Sequence, residues 1–130
     1  MIAVDASAML EVLLRTERGA RIETRLLSRG ESLHVPHLLD VEVAQVLRRY
    51  AAAGKLTAAR GLEALADLAD FPLHRYPHDW LLPRMWELRH NVTAYDAAYL
   101  TLAEALPAPL VSCDARLASA PGHSAKIEVF

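Results

Sequence analysis

Short apolar runs alternate along the chain with longer stretches in which apolar side chains recur every three or four residues. The short runs predict β-strands, and the longer period predicts amphipathic helices. The predicted strands are MIAVD, SLHVP, PLHRY, PLVSC and KIEVF, which begin at residues 1, 32, 72, 109 and 126. The predicted helices span residues 6–15, 17–28, 37–53, 57–71, 79–90 and 91–106, and a brief helix follows from Ala115.

This alternation of strands and helices predicts an α/β fold. We expect an open parallel sheet of about five strands, covered by helices on both faces and joined by right-handed crossovers. The PLHRY strand lies between Pro72 and Pro77, which favours a position near a sheet edge. A length of 130 residues predicts one domain over residues 1–130. In such folds the functional crevice lies at the carboxyl ends of the strands, where the strand order reverses.

Composition limits the functions that this fold can serve. The net charge of −2 gives no general attraction for nucleic acid or membrane, so any nucleic-acid contact must be local. The six histidines lack zinc-binding spacing, and the single cysteine, Cys113, follows an apolar run that predicts its burial. Without a signal-peptide pattern or an apolar run of 18 residues, the chain is expected to be cytoplasmic.

Two acidic residues follow predicted strands directly. Asp5 comes after MIAV and Asp114 after PLVSC, so both are expected at the carboxyl edge of the sheet. If these two strands are neighbours, the two carboxylates meet at the crevice. Each residue alone is equally compatible with the N-cap of the helix that follows it.

A third acid, Glu42, lies near the apolar stripe of its predicted helix, between Leu38 and Val46, although an exposed glutamate would favour the opposite face. The alternative is a boundary residue whose carboxylate reaches water.

The fourth acid, Asp96, lies one turn into a helix that begins after Thr93. The pair fits the capping-box pattern, so Asp96 can be explained as a cap. It also flanks an apolar stripe formed by Tyr95, Tyr99, Leu102 and Leu106.

Four carboxylates at one site would repel one another by roughly 4 kcal/mol per pair at 4 Å in an effective dielectric of 20. A divalent cation removes this repulsion, and a site made only of oxygen ligands favours Mg²⁺ or Mn²⁺. Such an ion can activate water for attack on a phosphate. The acids therefore predict a metal-dependent nuclease.

Four segments carrying these acids resemble the PIN-domain ribonucleases, and within that family the VapC toxins of bacterial and archaeal toxin–antitoxin pairs. The segments are MIAVDASAMLEVLL, VPHLLDVEVAQVLRR, VTAYDAAYLTLAE and PLVSCDARLA, and the resemblance covers nearly the whole chain. It implies that the metal-site acids of the family fall on Asp5, Glu42, Asp96 and Asp114, and its hydroxyl residues on Ser7 and Thr93.

One position departs from the family pattern. Arg116 stands where some relatives have an acidic or small polar residue, and it could pair with Asp114 or contact phosphate. A lesser change places Ser112 where many relatives have threonine.

The resemblance implies a toxin that hydrolyses RNA phosphodiester bonds with Mg²⁺ or Mn²⁺, leaving a 3′-hydroxyl and a 5′-phosphate. It also implies a small VapB-type antitoxin as inhibitor, and a homodimer that forms a heterotetramer or larger assembly with it. Apolar residues of the first four helices, beyond those that one core face needs, predict a groove for an antitoxin segment. They are Met9, Leu10, Leu13, Leu14, Leu38 and Val41, with Arg15, Arg18, Arg48 and Arg49 nearby.

Two other classes of function fit parts of the sequence. A phosphorylation-switch receiver domain shares the size and the strand–helix alternation, but Asp5 is followed by Ala6 where receivers have a second acid. A catalytically inactive PIN-type binding module would keep the surface without the chemistry, and the four intact acids argue against it.

Overall fold

A computed structural model describes residues 1–130 and contains one five-stranded sheet with all strands parallel. The strand order is β3-β2-β1-β4-β5, which confirms the predicted fold class and places the PLHRY strand at an edge. The strands are β1 Ile2–Val4, β2 Leu33–Pro36, β3 Leu73–Tyr76, β4 Leu110–Ser112 and β5 Ile127–Val129.

Seven helices cover the two faces of the sheet. The first four pack against one another on one face, and α5 and α6 pack together on the other, as right-handed crossovers require. None of the helices has the length and apolar character needed to span a membrane. The helices are α1 Ala6–Leu13, α2 Glu17–Leu26, α3 Leu38–Ala52, α4 Ala58–Asp70, α5 Leu82–Glu87, α6 Ala94–Ala105 and α7 Ala115–Ser119.

The strand order reverses between β1 and β4. The chain leaves β1 for β2 on one side and later returns to pair β4 with the other side of β1, with Val4 opposite Val111. Both valines are fully buried in the core. The carboxyl ends of β1 and β4 therefore open side by side at the switch point, as the sequence predicts.

All six predicted ranges are longer than the helices that form, and two of the differences have a clear local cause. Helix α1 stops at Leu13, because Arg15 adopts a positive φ of 56° that no α-helix can contain. The helix predicted over residues 79–90 is a 3₁₀ turn, Asp79–Leu81, followed by α5. Pro83 lies in the first turn of α5, where its missing N–H leaves no helical bond unmade.

An ion pair fastens α5 to α6 and to the loop before β5. Nε and Nη2 of Arg84 donate to the two carboxylate oxygens of Glu104 at 2.9 and 3.1 Å, and Nη2 also donates to the carbonyl of Gly122 at 2.9 Å. The backbone N–H of Ser124 donates to Glu104 at 2.8 Å. These donors, of which the Arg84 guanidinium has the largest effect, hold the pKa of Glu104 below its ordinary value.

We expect Glu104→Gln to lower the free energy of unfolding by about 1.5–3 kcal/mol at pH 7, because it removes bonds between charged groups. A carboxyl whose pKa is lowered by folding adds stability above its unfolded pKa, and this contribution disappears as the pH falls through the folded value. The difference between parent and variant should therefore shrink below about pH 4.5, the ordinary value for this group. Urea unfolding of the parent and of Glu104→Gln at several pH values from 7 to 3 measures this difference in the free energy of unfolding.

The matched control is Glu87→Gln, which removes a second and more exposed partner of the same Arg84 guanidinium. An exposed ion pair contributes little, about 0–1 kcal/mol. An equal loss in both variants, or a difference that persists at pH 3, would contradict the assignment of the stabilisation to Glu104.

Candidate metal centre

A small cavity of about 170 Å³ opens at the carboxyl ends of β1 and β4, where the strand order reverses. All four acids predicted from the sequence line it, although they come from four separate segments of the chain. The lining residues are Asp5, Ala6, Ser7, Glu42, Asp96, Tyr99 and Asp114. As the side chains stand, no three of the His, Cys, Asp and Glu residues have a geometry that could hold a metal ion. Three of the four carboxylates instead accept hydrogen bonds from other protein groups.

Asp5 is the most buried of the four acids, with 6% of its surface exposed. Its Oδ1 accepts hydrogen bonds from the backbone N–H of Ala8 at 3.0 Å and from the hydroxyl of Ser7 at 2.6 Å, and its Oδ2 accepts one from Ser112. Burial raises the pKa of Asp5, and these hydrogen bonds offset part of that shift. Asp5 therefore caps α1 and lines the cavity at once, so the two interpretations of this residue are compatible.

Two serine hydroxyls connect β1 to the end of β4. Ser112 donates to Asp5 and accepts the backbone N–H of Asp114 at 2.9 Å. Ser7 likewise donates to Asp5 and accepts the N–H of Cys113 at 2.9 Å. The sequence singles out Ser7 but gives Ser112 no structural role. The signal for Ser112 was a single hydroxyl inside an otherwise apolar strand, two residues before an acid.

Glu42 reaches the cavity from α3 and accepts a hydrogen bond from the hydroxyl of Tyr99 on α6. Burial raises the pKa of Glu42, and the charges of Asp96 and Asp5 raise it further. The sequence pattern predicts Tyr99 as a member of an apolar stripe and gives no sign that its hydroxyl donates to Glu42. The same stripe was predicted to contain Tyr95, which is in fact 62% exposed.

Asp96 lies in the first turn of α6, which Thr93 caps as predicted. The hydroxyl of Thr93 accepts the backbone N–H of Asp96 at 3.2 Å, but the Asp96 carboxylate accepts no backbone N–H in return. Only half of the predicted capping box is formed. Burial raises the pKa of Asp96, the Thr93 hydroxyl partly opposes the shift, and the charge of Asp114 adds to it.

Asp114 caps α7 and is paired with Arg116. Nε and Nη2 of Arg116 donate to the two oxygens of Asp114 at 3.0 and 2.9 Å, and the backbone N–H of Arg116 donates at 3.0 Å. These bonds hold the pKa of Asp114 below its ordinary value. Of the two roles considered for Arg116, pairing with Asp114 is the one that the structure contains.

Cys113 lies beside this group but is only half-buried, packed against the edge of the core. The prediction of a buried cysteine is thus correct only in part. Burial raises the pKa of its thiol.

The donor set fits a hard divalent cation. Every ionisable side chain that lines the cavity, apart from Tyr99, is a carboxyl group, and three of the four carboxyls have raised pKa values. Burial is the main cause in each case, and each is also raised by a neighbouring carboxylate. The arrangement favours a positive charge at the cavity, and oxygen ligands favour Mg²⁺ or Mn²⁺ over softer metals.

Known proteins resemble this chain in sequence and in fold. The family model for the PIN domain matches residues 2–122. Ribonuclease VapC9 of Mycobacterium tuberculosis is 48% identical over 117 residues, which cover 90% of this chain and 88% of that protein. Ribonuclease VapC12 of the same species is 40% identical over 129 residues, covering 99% and 98%.

A solved structure, VapBC2 from Rickettsia felis bound to a DNA fragment from their promoter, superposes with a TM-score of 0.72. It is 14% identical and covers 99% of this chain and 98% of that one, so it shows the shared fold. PIN-domain ribonucleases are metal-dependent in general. Through its matched domain and its close relatives, this chain belongs to the PIN-domain family, in the group of the VapC ribonucleases.

Proposed function

We propose that this chain is the toxin ribonuclease of a toxin–antitoxin pair and hydrolyses RNA phosphodiester bonds with Mg²⁺, or alternatively Mn²⁺. One observation carries the proposal: four carboxylates from four separate segments line a single cavity at the switch point of the sheet. The relatives VapC9 and VapC12 are named ribonucleases. The activity belongs to one domain of residues 1–130 acting in the cytoplasm, where its RNA would be found.

The residues of the cavity divide into fixed and adjustable groups. Asp5 is fixed by three hydrogen bonds, so it would supply one carboxylate oxygen in a constant position. Glu42 and Asp96 are half-buried and would complete the ligand set with Asp114. A divalent ion held there would neutralise charge on a phosphate and lower the pKa of a bound water. Ser7 and Thr93 would orient Asp5 and the start of α6, respectively.

If Asp96 is a metal ligand, Mg²⁺ should stabilise the parent protein by about 1.4 kcal/mol when the free ion is tenfold above its dissociation constant. Asp96→Asn should gain much less from Mg²⁺, and in EDTA it should be as stable as the parent or more so, because one of several like charges is gone. If Asp96 only supports the helix start through its charge in the first turn, its loss should destabilise the protein by about 0.3–1 kcal/mol with or without metal. Thermal melts in EDTA and in Mg²⁺ measure the difference.

Asp79→Asn is the control, because it removes an exposed carboxylate from a different helix start outside the cavity. This variant should respond to Mg²⁺ as the parent does. A parent whose melting temperature does not change with Mg²⁺, together with an Asp96→Asn variant destabilised in EDTA, would show that Asp96 stabilises the helix start and is not a ligand.

The antitoxin-free protein should cleave RNA in Mg²⁺ or Mn²⁺ and lose this activity in EDTA. Asp5→Asn should reduce cleavage by at least about 100-fold, since changes even to residues that support metal ligands weaken activity 10–100-fold. Asp79→Asn should cleave as the parent does. Gel assays on a structured and a single-stranded RNA measure the rates, and equal cleavage in EDTA would contradict a metal mechanism.

The same assay tests the alternative of a catalytically inactive PIN-type module. Such a protein would bind Mg²⁺ and its partner but leave RNA intact under every metal condition. The receiver-domain alternative is excluded by membership of the PIN-domain family.

A VapB-type antitoxin is the partner that we propose for a second feature, a groove of about 680 Å³ between α1 and α3. Four of the six apolar residues predicted for this surface line it: Leu10, Leu14, Leu38 and Val41. The other two predictions were wrong, because Met9 and Leu13 do not line the groove. Of the four predicted arginines, only Arg49 lines the groove.

The groove lies beside the metal cavity, which makes it suitable for an inhibitor. It shares Ser7 and Glu42 with the metal cavity, so a segment seated in it would end against the carboxylates. Val41 lies on the groove wall with 67% of its surface exposed. The alternative is that the same apolar residues form the homodimer contact that the family resemblance implies.

Val41→Asp should weaken antitoxin binding about tenfold or more, because it places a charge where an apolar side chain would be buried. Leu62→Asp is the control, since Leu62 is 71% exposed on α4 and lies outside the groove. Copurification of the untagged product of the neighbouring small gene with each tagged variant measures binding. Equal retention by Val41→Asp and Leu62→Asp would contradict the groove assignment, and a changed oligomeric state of Val41→Asp alone would indicate the homodimer.

A further inference from the structure

Arg116 occupies both oxygens of a carboxylate that the proposed function assigns to metal binding. Its guanidinium and backbone N–H together donate three hydrogen bonds to Asp114. Yet the Arg116 side chain is 91% exposed, so packing does not hold it in this position. The pair is charged and bidentate, but it can open without disturbing the core.

This pairing opposes metal binding at Asp114. A carboxylate that accepts a bidentate guanidinium has fewer free lone pairs, and the cation beside it repels a divalent ion. Exposed ion pairs are weak, so an incoming ion can displace Arg116 at little cost. Arg116 would then be a free cation at the edge of the site.

The neighbouring cleft offers a place for the released guanidinium. It has a volume of about 540 Å³ and adjoins the metal cavity through Asp96 and Asp114, which line both. Its walls also carry Arg89, His90 and Arg116. Arg89 is already engaged, because it donates to the carbonyl of Trp86 at 2.9 Å and stacks over that ring.

The cleft gives this acidic chain a local pair of arginine cations, Arg89 and Arg116, next to the proposed catalytic carboxylates. A chain with a net charge of −2 needs such a group to bind a polyanion. The planar fork of arginine matches two oxygens of a phosphate as well as it matches a carboxylate.

We propose that Arg116 is a positioning residue that exchanges partners: it pairs with Asp114 in the metal-free protein and binds a phosphate of the RNA once Asp114 holds the ion. This inference rests on the proposed function. Its consequence is that Arg116 weakens metal binding and strengthens RNA binding. A residue with a merely structural role would not change the two affinities in opposite directions.

The test compares the parent, Arg116→Gln and Arg29→Gln. Arg29 is exposed, lies beyond the end of α2 and makes no hydrogen bond to another side chain, so this variant removes the same charge away from the cleft. Isothermal titration calorimetry with Mg²⁺ and no RNA should give a dissociation constant about two- to fivefold lower for Arg116→Gln than for the parent. Arg29→Gln should match the parent.

Fluorescence anisotropy with a labelled RNA then measures the second affinity. Ca²⁺ replaces Mg²⁺ because it also binds carboxylate oxygens, and a gel run after each titration checks that the RNA is intact. Arg116→Gln should bind RNA about three- to tenfold more weakly, with a salt dependence smaller by about one released ion. Arg116→Lys keeps the charge without the fork and should retain most of the salt dependence.

Tighter metal binding together with weaker RNA binding in Arg116→Gln alone supports the exchange. The exchange would be overturned if Arg116→Gln changed the affinities for Mg²⁺ and for RNA in the same direction, or changed neither. Equal changes of both affinities in Arg29→Gln would also overturn it. If the parent binds the ion and cleaves RNA while Arg116→Gln is unchanged, only the exchange fails. A parent that neither binds Mg²⁺ nor cleaves RNA overturns the proposed function and the exchange together.

Discussion

The buried carboxylate of Asp5 is the interaction on which the rest of the site depends. Moving an ionised group out of water is unfavourable unless hydrogen bonds replace its hydration. The replacement comes from the start of α1 and from hydroxyls on both sides of the β1–β4 junction. One side chain thus fixes where α1 begins and how the ends of two strands are joined. Through Ser112, it also fixes the backbone at Asp114.

The opposite wall of the cavity is assembled from both helix layers. Glu42 belongs to α3 on one face of the sheet, and Tyr99 belongs to α6 on the other. Their hydrogen bond crosses the end of the sheet, where no strand separates the layers. The site is therefore built on rigid elements, while its exposed rim is formed by the loops before α6 and α7.

Features fixed by short-range rules were predictable from the sequence. The strands, the edge position of the PLHRY strand and the N-caps at Asp5 and Thr93 follow from local pattern and turn chemistry. Other features depend on contacts between distant segments. Tyr95 and Tyr99 share a residue type and a helix stripe, and only the approach of α3 determines which one is buried against Glu42. Met9 and Leu10 are equally apolar and both are buried, but only Leu10 also lines the groove, which the packing of α3 against α1 determines.

The wall that Ser7 and Glu42 form between the metal cavity and the groove has a thermodynamic consequence. Two ligands that use the same side chain are coupled, and the factor by which one weakens the other is the same in both directions. If the cavity binds a divalent ion as proposed, the concentration of that ion would enter the dissociation constants measured at the groove. Affinities of groove ligands would then be comparable with one another only at a stated ion concentration.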